Sequence, residues 1–296
     1  MEPTSRSANS LLSPGERLRQ AWTAKTIAIP GVFNALVARM AERLGFAAIY
    51  LSGGALSAAA GVPDVGLLSL ADFVEQARSI TLACSLPLLC DADTGFGEAL
   101  NVERSVRLFE SAGVAGIHLE DQQLPKRCGH LSGKQLVDAN VMAAKIRAAV
   151  AARRNRDFVI IARTDARGVH GFDDAVRRAR IYLDAGADAI FPEALETPAE
   201  FEEFAGAVPA PLLANMTEFG RSPIIDLPTL GGLGYRMVLY PLTAFRSALR
   251  AAQATLVDIK AKGHQRDCLP GMLTRAELYD LLGYDGYEAR DRAYFG

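Results

Sequence analysis

Apolar residues in this chain gather in short unbroken runs rather than alternating with polar ones. Eight such runs lie near 26–30, 47–51, 87–90, 115–119, 158–162, 188–191, 211–214 and 235–239. Continuous apolar runs of this length are what parallel strands need when both faces of the sheet are covered. Between them lie longer stretches with helical spacing, at 33–44, 101–112, 141–152, 173–185 and 242–262. Three joins into a strand share one form: Leu44-Gly45-Phe46, Ala112-Gly113-Val114 and Ala185-Gly186-Ala187. A glycine there allows the left-handed turn that ends a helix and sends the chain back.

Eightfold strand–helix alternation predicts an α/β fold, and the count favours a closed (β/α)8 TIM-type barrel over an open sheet. No Gly-x-Gly-x-x-Gly follows the first run, which argues against a dinucleotide-binding sheet. One domain is expected over 1–296, with a polar N-terminal arm at 1–20 and a helical tail at 263–296 that includes a helix at 274–282. The stretch Gly231-Gly232-Leu233-Gly234 precedes the eighth run and reads as a turn rather than a phosphate loop.

Composition narrows the function classes. Half of the 296 residues are hydrophobic and the formal net charge is −2. Neither nucleic acid nor a membrane surface is an expected partner on that balance. No apolar run approaches the roughly 18 residues of a membrane span. The first ten residues lack the apolar core of a signal peptide. Cys84, Cys90, Cys128 and Cys268 form no paired motif, so reduced thiols in the cytoplasm are expected.

In a parallel barrel the chemistry sits where strands end. The segments after the runs read Tyr50-Leu51-Ser52-Gly53-Gly54, Asp91-Ala92-Asp93, His118-Leu119-Glu120-Asp121, Arg163-Thr164-Asp165, Pro192-Glu193 and Asn215-Met216-Thr217. So many carboxylates on one rim repel one another, and a divalent cation would relieve that. Oxygen ligands without paired His or Cys point to Mg²⁺, or Mn²⁺, with Asp91 and Asp93 as first candidates. His118 is read as either a core residue or support for the rim. The loop after the fourth run, Lys126-Arg127-Cys128-Gly129-His130, places a thiol among three basic side chains, which should favour thiolate. Gly129 and Gly133 would let that loop move as a lid.

These segments resemble the isocitrate lyase and phosphoenolpyruvate mutase superfamily. The likeness rests on Lys126-Arg127-Cys128-Gly129-His130, Tyr50 to Gly54, Pro63-Asp64, His118 to Asp121, Phe191-Pro192-Glu193 and Asn215 to Gly220, and it extends from about residue 11 to 290. Within the superfamily the chain is most similar to the 2-methylisocitrate lyases. The resemblance implies a Mg²⁺-dependent carbon–carbon lyase acting on a small tricarboxylate, a homotetramer, and a last barrel helix swapped with a neighbour.

Carried over residue by residue, the resemblance implies that Ser52, Gly53 and Gly54 hold a substrate carboxylate. It implies Asp91 and Asp93 at the metal, directly or through water, with Asp64 and Glu120 in support. Cys128 and Gly129 would approach the succinate half. Arg163, Glu193, Asn215 and Thr217 would fix the substrate, with Arg246 and Arg275 as further carboxylate contacts. Lys126, His130 and Arg163 join Cys128 as catalytic candidates, and Tyr50 is a candidate base. The alternatives are a sibling lyase for isocitrate, dimethylmalate or oxaloacetate, and a catalytically silent barrel. A silent barrel should have lost Cys128 or a rim carboxylate, and none is lost.

Overall fold

The computed structural model describes residues 12–295. All eight predicted strands are present: β1 (Ile27–Pro30), β2 (Ile49–Leu51), β3 (Leu88–Asp91), β4 (Gly116–Glu120), β5 (Val159–Thr164), β6 (Ala189–Pro192), β7 (Leu213–Asn215) and β8 (Met237–Tyr240). Every pairing is parallel. One ladder runs β2-β3-β4-β5-β6 and the other β1-β8-β7. The two ladders join at both seams. Gly31 bridges Tyr50 between β1 and β2, and Ile190 bridges Leu212 between β6 and β7. At the seams, Val32 N donates to Tyr50 O at 2.8 Å and Ile190 N to Pro211 O at 3.0 Å. The ring of eight strands is therefore closed, as the pattern predicted.

Helices follow in chain order: α1 (Pro14–Ala24), α2 (Ala35–Arg43), α3 (Gly53–Ala59), α4 (Leu70–Ala83), α5 (Ala99–Ser111), α6 (Ala139–Ala152), α7 (Phe172–Asp184), α8 (Pro198–Ala207), α9 (Leu227–Gly232), α10 (Thr243–Lys262), α11 (Arg275–Leu282) and α12 (Tyr284–Phe295). Side chains with the pleat's period of two separate two cores. One set, including Ile49, Leu51, Cys90, Ile117, Leu119 and Ile160, packs with the helices. The other, including Ile27, Ile29, Leu89, Val159, Ile161, Ala189, Leu213 and Met237, clusters separately inside the ring. The same inward register, continued to the strand ends, carries Tyr50, Asp91, His118, Glu120, Arg163, Glu193 and Asn215.

Two expectations need correction. The arm predicted over 1–20 is helix from Pro14 onward, capped by Ser13, whose hydroxyl accepts from Glu16 N. Leu18 and Trp22, four residues apart, join the inner core, and Arg19 pairs with Asp188 ahead of β6 at 2.9 Å. This helix therefore packs at the N-terminal end of the strands. Residues 1–11 lie outside the described residues. The glycine run at 231–234 is not a plain turn, because its first half closes α9, capped by Asp226. Replacing Leu18 with Ala is expected to remove about 3 kcal/mol of stability, read from chemical denaturation.

The chain divides into two compact units, the second beginning at Ala244. In the second unit only Phe245 and Leu281 are buried among the described residues, so it holds little core of its own. No helix among the described residues is long and apolar enough to cross a membrane.

Candidate active site

The strand ends of the first unit enclose an open pocket of about 500 Å³. Its first wall is built on β2 and β3. Asp91 accepts from Gly53 N at 3.1 Å on one oxygen and from Asp93 N at 3.0 Å on the other. Burial would raise the Asp91 carboxyl, but His118, Lys126 and Arg163 outweigh it and hold it below the usual range. Burial, then the Asp91 charge, pushes the neighbouring Asp93 up to about 7. Lys126 folds in from the loop after β4 and pairs with Asp64 and, at 2.7 Å, with Asp93.

Tyr50 and His118 sit below this wall. Their rings stack at 5.7 Å, and Tyr50 Oη lies 2.8 Å from His118 Nε2. Burial drops His118 to about 4, so it is neutral near pH 7. His118 Nδ1 is buried without a partner. A proton on Nε2 then leaves only a lone pair unmatched, and lets the Tyr50 hydroxyl donate to Asp91 Oδ2 at 3.4 Å. Burial and Asp91 push the Tyr50 phenol well above its ordinary value. The candidate base thus keeps its proton, and its hydroxyl acts as a donor that orients Asp91.

The opposite wall centres on Arg163. It grips Asp165 through Nε at 3.0 Å and a terminal nitrogen at 3.2 Å. It also faces Glu193 at 3.1 Å and Glu120 at 3.3 Å, with the Phe191 ring 5.1 Å away. Burial alone would raise Glu193, yet Arg163 and His130 hold it well below the usual carboxylate range. Asn215 Nδ2 donates to both Glu193 oxygens at 3.3 Å. His130 Nδ1 accepts from Arg221 N at 2.9 Å, so its proton sits on Nε2, 3.0 Å from Glu193 Oε1.

The loop spanning 121–137 carries the thiol between these walls. Gln122 fixes its start, donating to Arg127 O at 2.8 Å and accepting from Arg127 N at 2.9 Å. Cys128 is exposed at the pocket mouth. Gly129 is buried against Arg163 and Glu193, and a Cβ there would overlap both. The basic neighbours do not make Cys128 a thiolate. Lys126 spends its charge on Asp64 and Asp93, and Arg127 reaches back toward Gly133. Although its surface reaches the pocket mouth, Cys128 lies among packed loop atoms, and this partial desolvation, helped by Glu193, shifts the thiol up rather than down.

Most sequence-predicted residues meet here. Tyr50, Ser52, Gly54, Asp64, Asp91, Glu120, Lys126, Cys128, Gly129, His130, Arg163, Glu193, Asn215 and Thr217 all line the pocket. Gly53 contributes through its amide, and Asp93 through Lys126. Arg246 and Arg275 belong to the second unit. Sequence reasoning gave no role to Lys134, Asp165 or Asp121. Asp121 accepts from Thr164 Oγ1 at 2.8 Å, Asp165 N at 2.9 Å and Tyr182 at 2.8 Å, and pairs with Arg178 at 3.1 Å. Asp121 and Asp165 were visible as acidic residues after strand ends, but their partners come from distant segments.

A divalent cation fits this donor set. Glu120 Oε1 is buried without a hydrogen-bond partner, and Asp93 Oδ1 faces only the Lys126 ammonium at 2.7 Å. Burial also leaves Glu120 raised well above its ordinary value. Among the described residues no three His, Cys, Asp or Glu side chains form a ready-made cage. Mg²⁺ does not require one, since it is commonly held by one or two carboxylates plus water and substrate oxygens.

A closed parallel barrel with a carboxylate-rich rim, a buried arginine and a thiol on a rim loop is the framework of an enzyme handling small oxygen-rich anions. The family model described as phosphoenolpyruvate phosphomutase matches residues 18–260, and the chain belongs to that family. A protein of Aeropyrum pernix named 2-methylisocitrate lyase is 52% identical over 279 residues, covering 94% of this chain and 90% of the relative. The crystal structure of 2,3-dimethylmalate lyase, described as a PEP mutase/isocitrate lyase superfamily member, is 34% identical and covers 96% of both chains with a TM-score of 0.88. Phosphonopyruvate hydrolase in complex with oxalate and Mg²⁺ is also 34% identical, with a TM-score of 0.88 over 96% of this chain and 100% of that one.

Proposed function

We propose that the chain cleaves the C2–C3 bond of 2-methylisocitrate, releasing pyruvate and succinate. The observation that carries this reading is the Cys128 thiol at the mouth of the pocket that holds the Asp91 and Arg163 walls. Asp91 and Asp93, supported by Asp64 and Glu120, would hold Mg²⁺, which supplies Lewis acidity toward a hydroxyl and its carboxylate. Ser52 with the amide of Gly54 receives a carboxylate of the substrate, while the Gly53 amide steadies Asp91. Asn215, Thr217 and His130 bind on the Glu193 side.

When the C2–C3 bond breaks, the C2 hydroxyl becomes the pyruvate carbonyl and gives its proton to an ionised rim carboxylate, while the bond's electron pair stays with the succinate half. Cys128 gives its thiol proton to that carbon. Arg163 offsets the charge that develops on the neighbouring carboxylate. Gly129, lacking a side chain, lets the thiol's backbone approach Arg163. The chain is further proposed to act in the cytoplasm as a homotetramer whose last helix swaps with a neighbour. Leu249, Leu256, Val257, Leu273, Tyr294 and Phe295 of the second unit are exposed apolar residues that such an assembly could bury.

The reading is tested by mixing purified protein, Mg²⁺ and 2-methylisocitrate and quantifying both products. Pyruvate and succinate are expected in equal amounts. Excess EDTA is expected to stop their formation and added Mg²⁺ to restore it. Turnover undiminished by exhaustive chelation would remove the metal from the account.

A further inference from the structure

Lys134 lies in an exposed stretch, between exposed Gly133 and Gln135, yet its side chain is buried. An ammonium group is strongly hydrated, so burial is unfavourable unless partners replace the water. Two partners do. Lys134 Nζ donates to Asp165 Oδ1 at 2.8 Å and to the backbone carbonyl of Gly129. Asp165 Oδ1 is the same oxygen that accepts from Arg163 at 3.2 Å. Asp165 is fully buried and fixed from behind by its own amide on Asp121. One ammonium therefore ties the carbonyl next to Cys128 to the carboxylate that orients Arg163.

The chain is shaped for this return. Leu131 N donates to Cys128 O at 2.9 Å, closing a tight turn after the thiol. Gly133 has φ +79°, a left-handed conformation that glycine adopts without strain and that brings the next residue back toward the pocket. Lys126 does the equivalent on the other flank, gripping Asp64 and Asp93. Cys128 and Gly129 thus hang between two buried lysines, each anchored to a different wall.

We propose that Lys134 is a positioning residue, a latch that sets the Cys128–Gly129 segment and the Arg163 guanidinium in register through Asp165. It touches no reacting atom. It makes the placement of the proton donor and of the charge-stabilising arginine one event, so that the closed loop and the aligned arginine occur together. The inference rests on the roles given above to Cys128 and Arg163.

The test uses Lys134→Met, Lys134→Arg, Asp165→Asn and the double variant Lys134→Met/Asp165→Asn in the full chain. Lys134→Met leaves Asp165 paired with Arg163, so the fold should survive, with the melting temperature as the control. Without any substrate, hydrogen exchange of the 126–133 amides is expected to quicken about tenfold or more in Lys134→Met. Its kcat/KM should fall about 100-fold, mostly in kcat, as misplacement of a reacting group by about an ångström does. Lys134→Arg should recover part of both losses, and the double variant should be no worse than the worse single one.

Unchanged exchange would overturn the latch whatever the activity. Faster exchange with normal turnover, or additive losses in the double variant, would overturn the positioning role. Because exchange is read without substrate, failure of the proposed reaction would not be mistaken for failure of the latch.

Discussion

Cys128→Ser is expected to lower kcat by about 10³-fold while leaving the melting temperature within a degree or so. The size follows from the usual contribution of a positioned general acid. The hydroxyl nearly matches the thiol in shape and can make the same contacts. It is a far weaker acid, so it gives its proton to a carbanion much more slowly. Stability should hold because Cys128 is exposed and supports no core packing. Binding of Mg²⁺, read by calorimetry, should be unchanged, since the carboxylate wall lies on other segments. Near-normal turnover in this variant would remove Cys128 from proton transfer.

Arg163→Leu should do the opposite kind of damage, striking stability and activity together. Arg163 is 7% exposed, and its guanidinium is shared by Asp165, Glu120 and Glu193. Without it, three buried carboxylates face one another with only Lys134, Lys126 and His130 nearby. Removing one partner from a buried charge network costs about 3–5 kcal/mol. Chemical denaturation should show that loss at neutral pH, and it should shrink as acid protonates the stranded carboxylates. Catalysis should fall by at least 10²-fold in whatever folded protein remains, the usual effect of losing a preorganised charge partner. A leucine variant as stable as the parent would mean that the arginine offsets no buried negative charge in the native state.

The barrel was readable because its strands are buried on both faces, which leaves continuous apolar runs that polar loops interrupt. Most of the site was readable for a related reason. Inward positions repeat every second residue, so the polar residues that end the runs at Asp91, Glu120, Arg163 and Glu193 had to converge on one rim. Helix α1 was not readable, because Leu18 and Trp22 are its only large apolar residues and the surrounding polarity looks like a solvated arm.

The inward turn of two loop lysines was not readable for a different reason. Lys126 and Lys134 sit in a polar loop, and nothing in local spacing says that both turn inward. The thiolate expected at Cys128 failed on the same point. Basic residues adjacent in sequence shift a pKa only if their charges point at the group, and here Lys126 and His130 point at carboxylates and Arg127 turns back toward Gly133. Tyr50 was a candidate base from its place at the strand end alone, and burial beside Asp91, which raises its phenol, argues for a donor role instead.

The central claim is that this pocket cleaves 2-methylisocitrate in preference to its chemical siblings. The most direct measurement is kcat/KM with Mg²⁺ for 2-methylisocitrate, isocitrate, 2,3-dimethylmalate and oxaloacetate, following 2-oxo acid formation or loss. The account predicts a preference for 2-methylisocitrate of about 100-fold, roughly 2.7 kcal/mol of differential transition-state binding. Equal or faster turnover of any of the other three would contradict it.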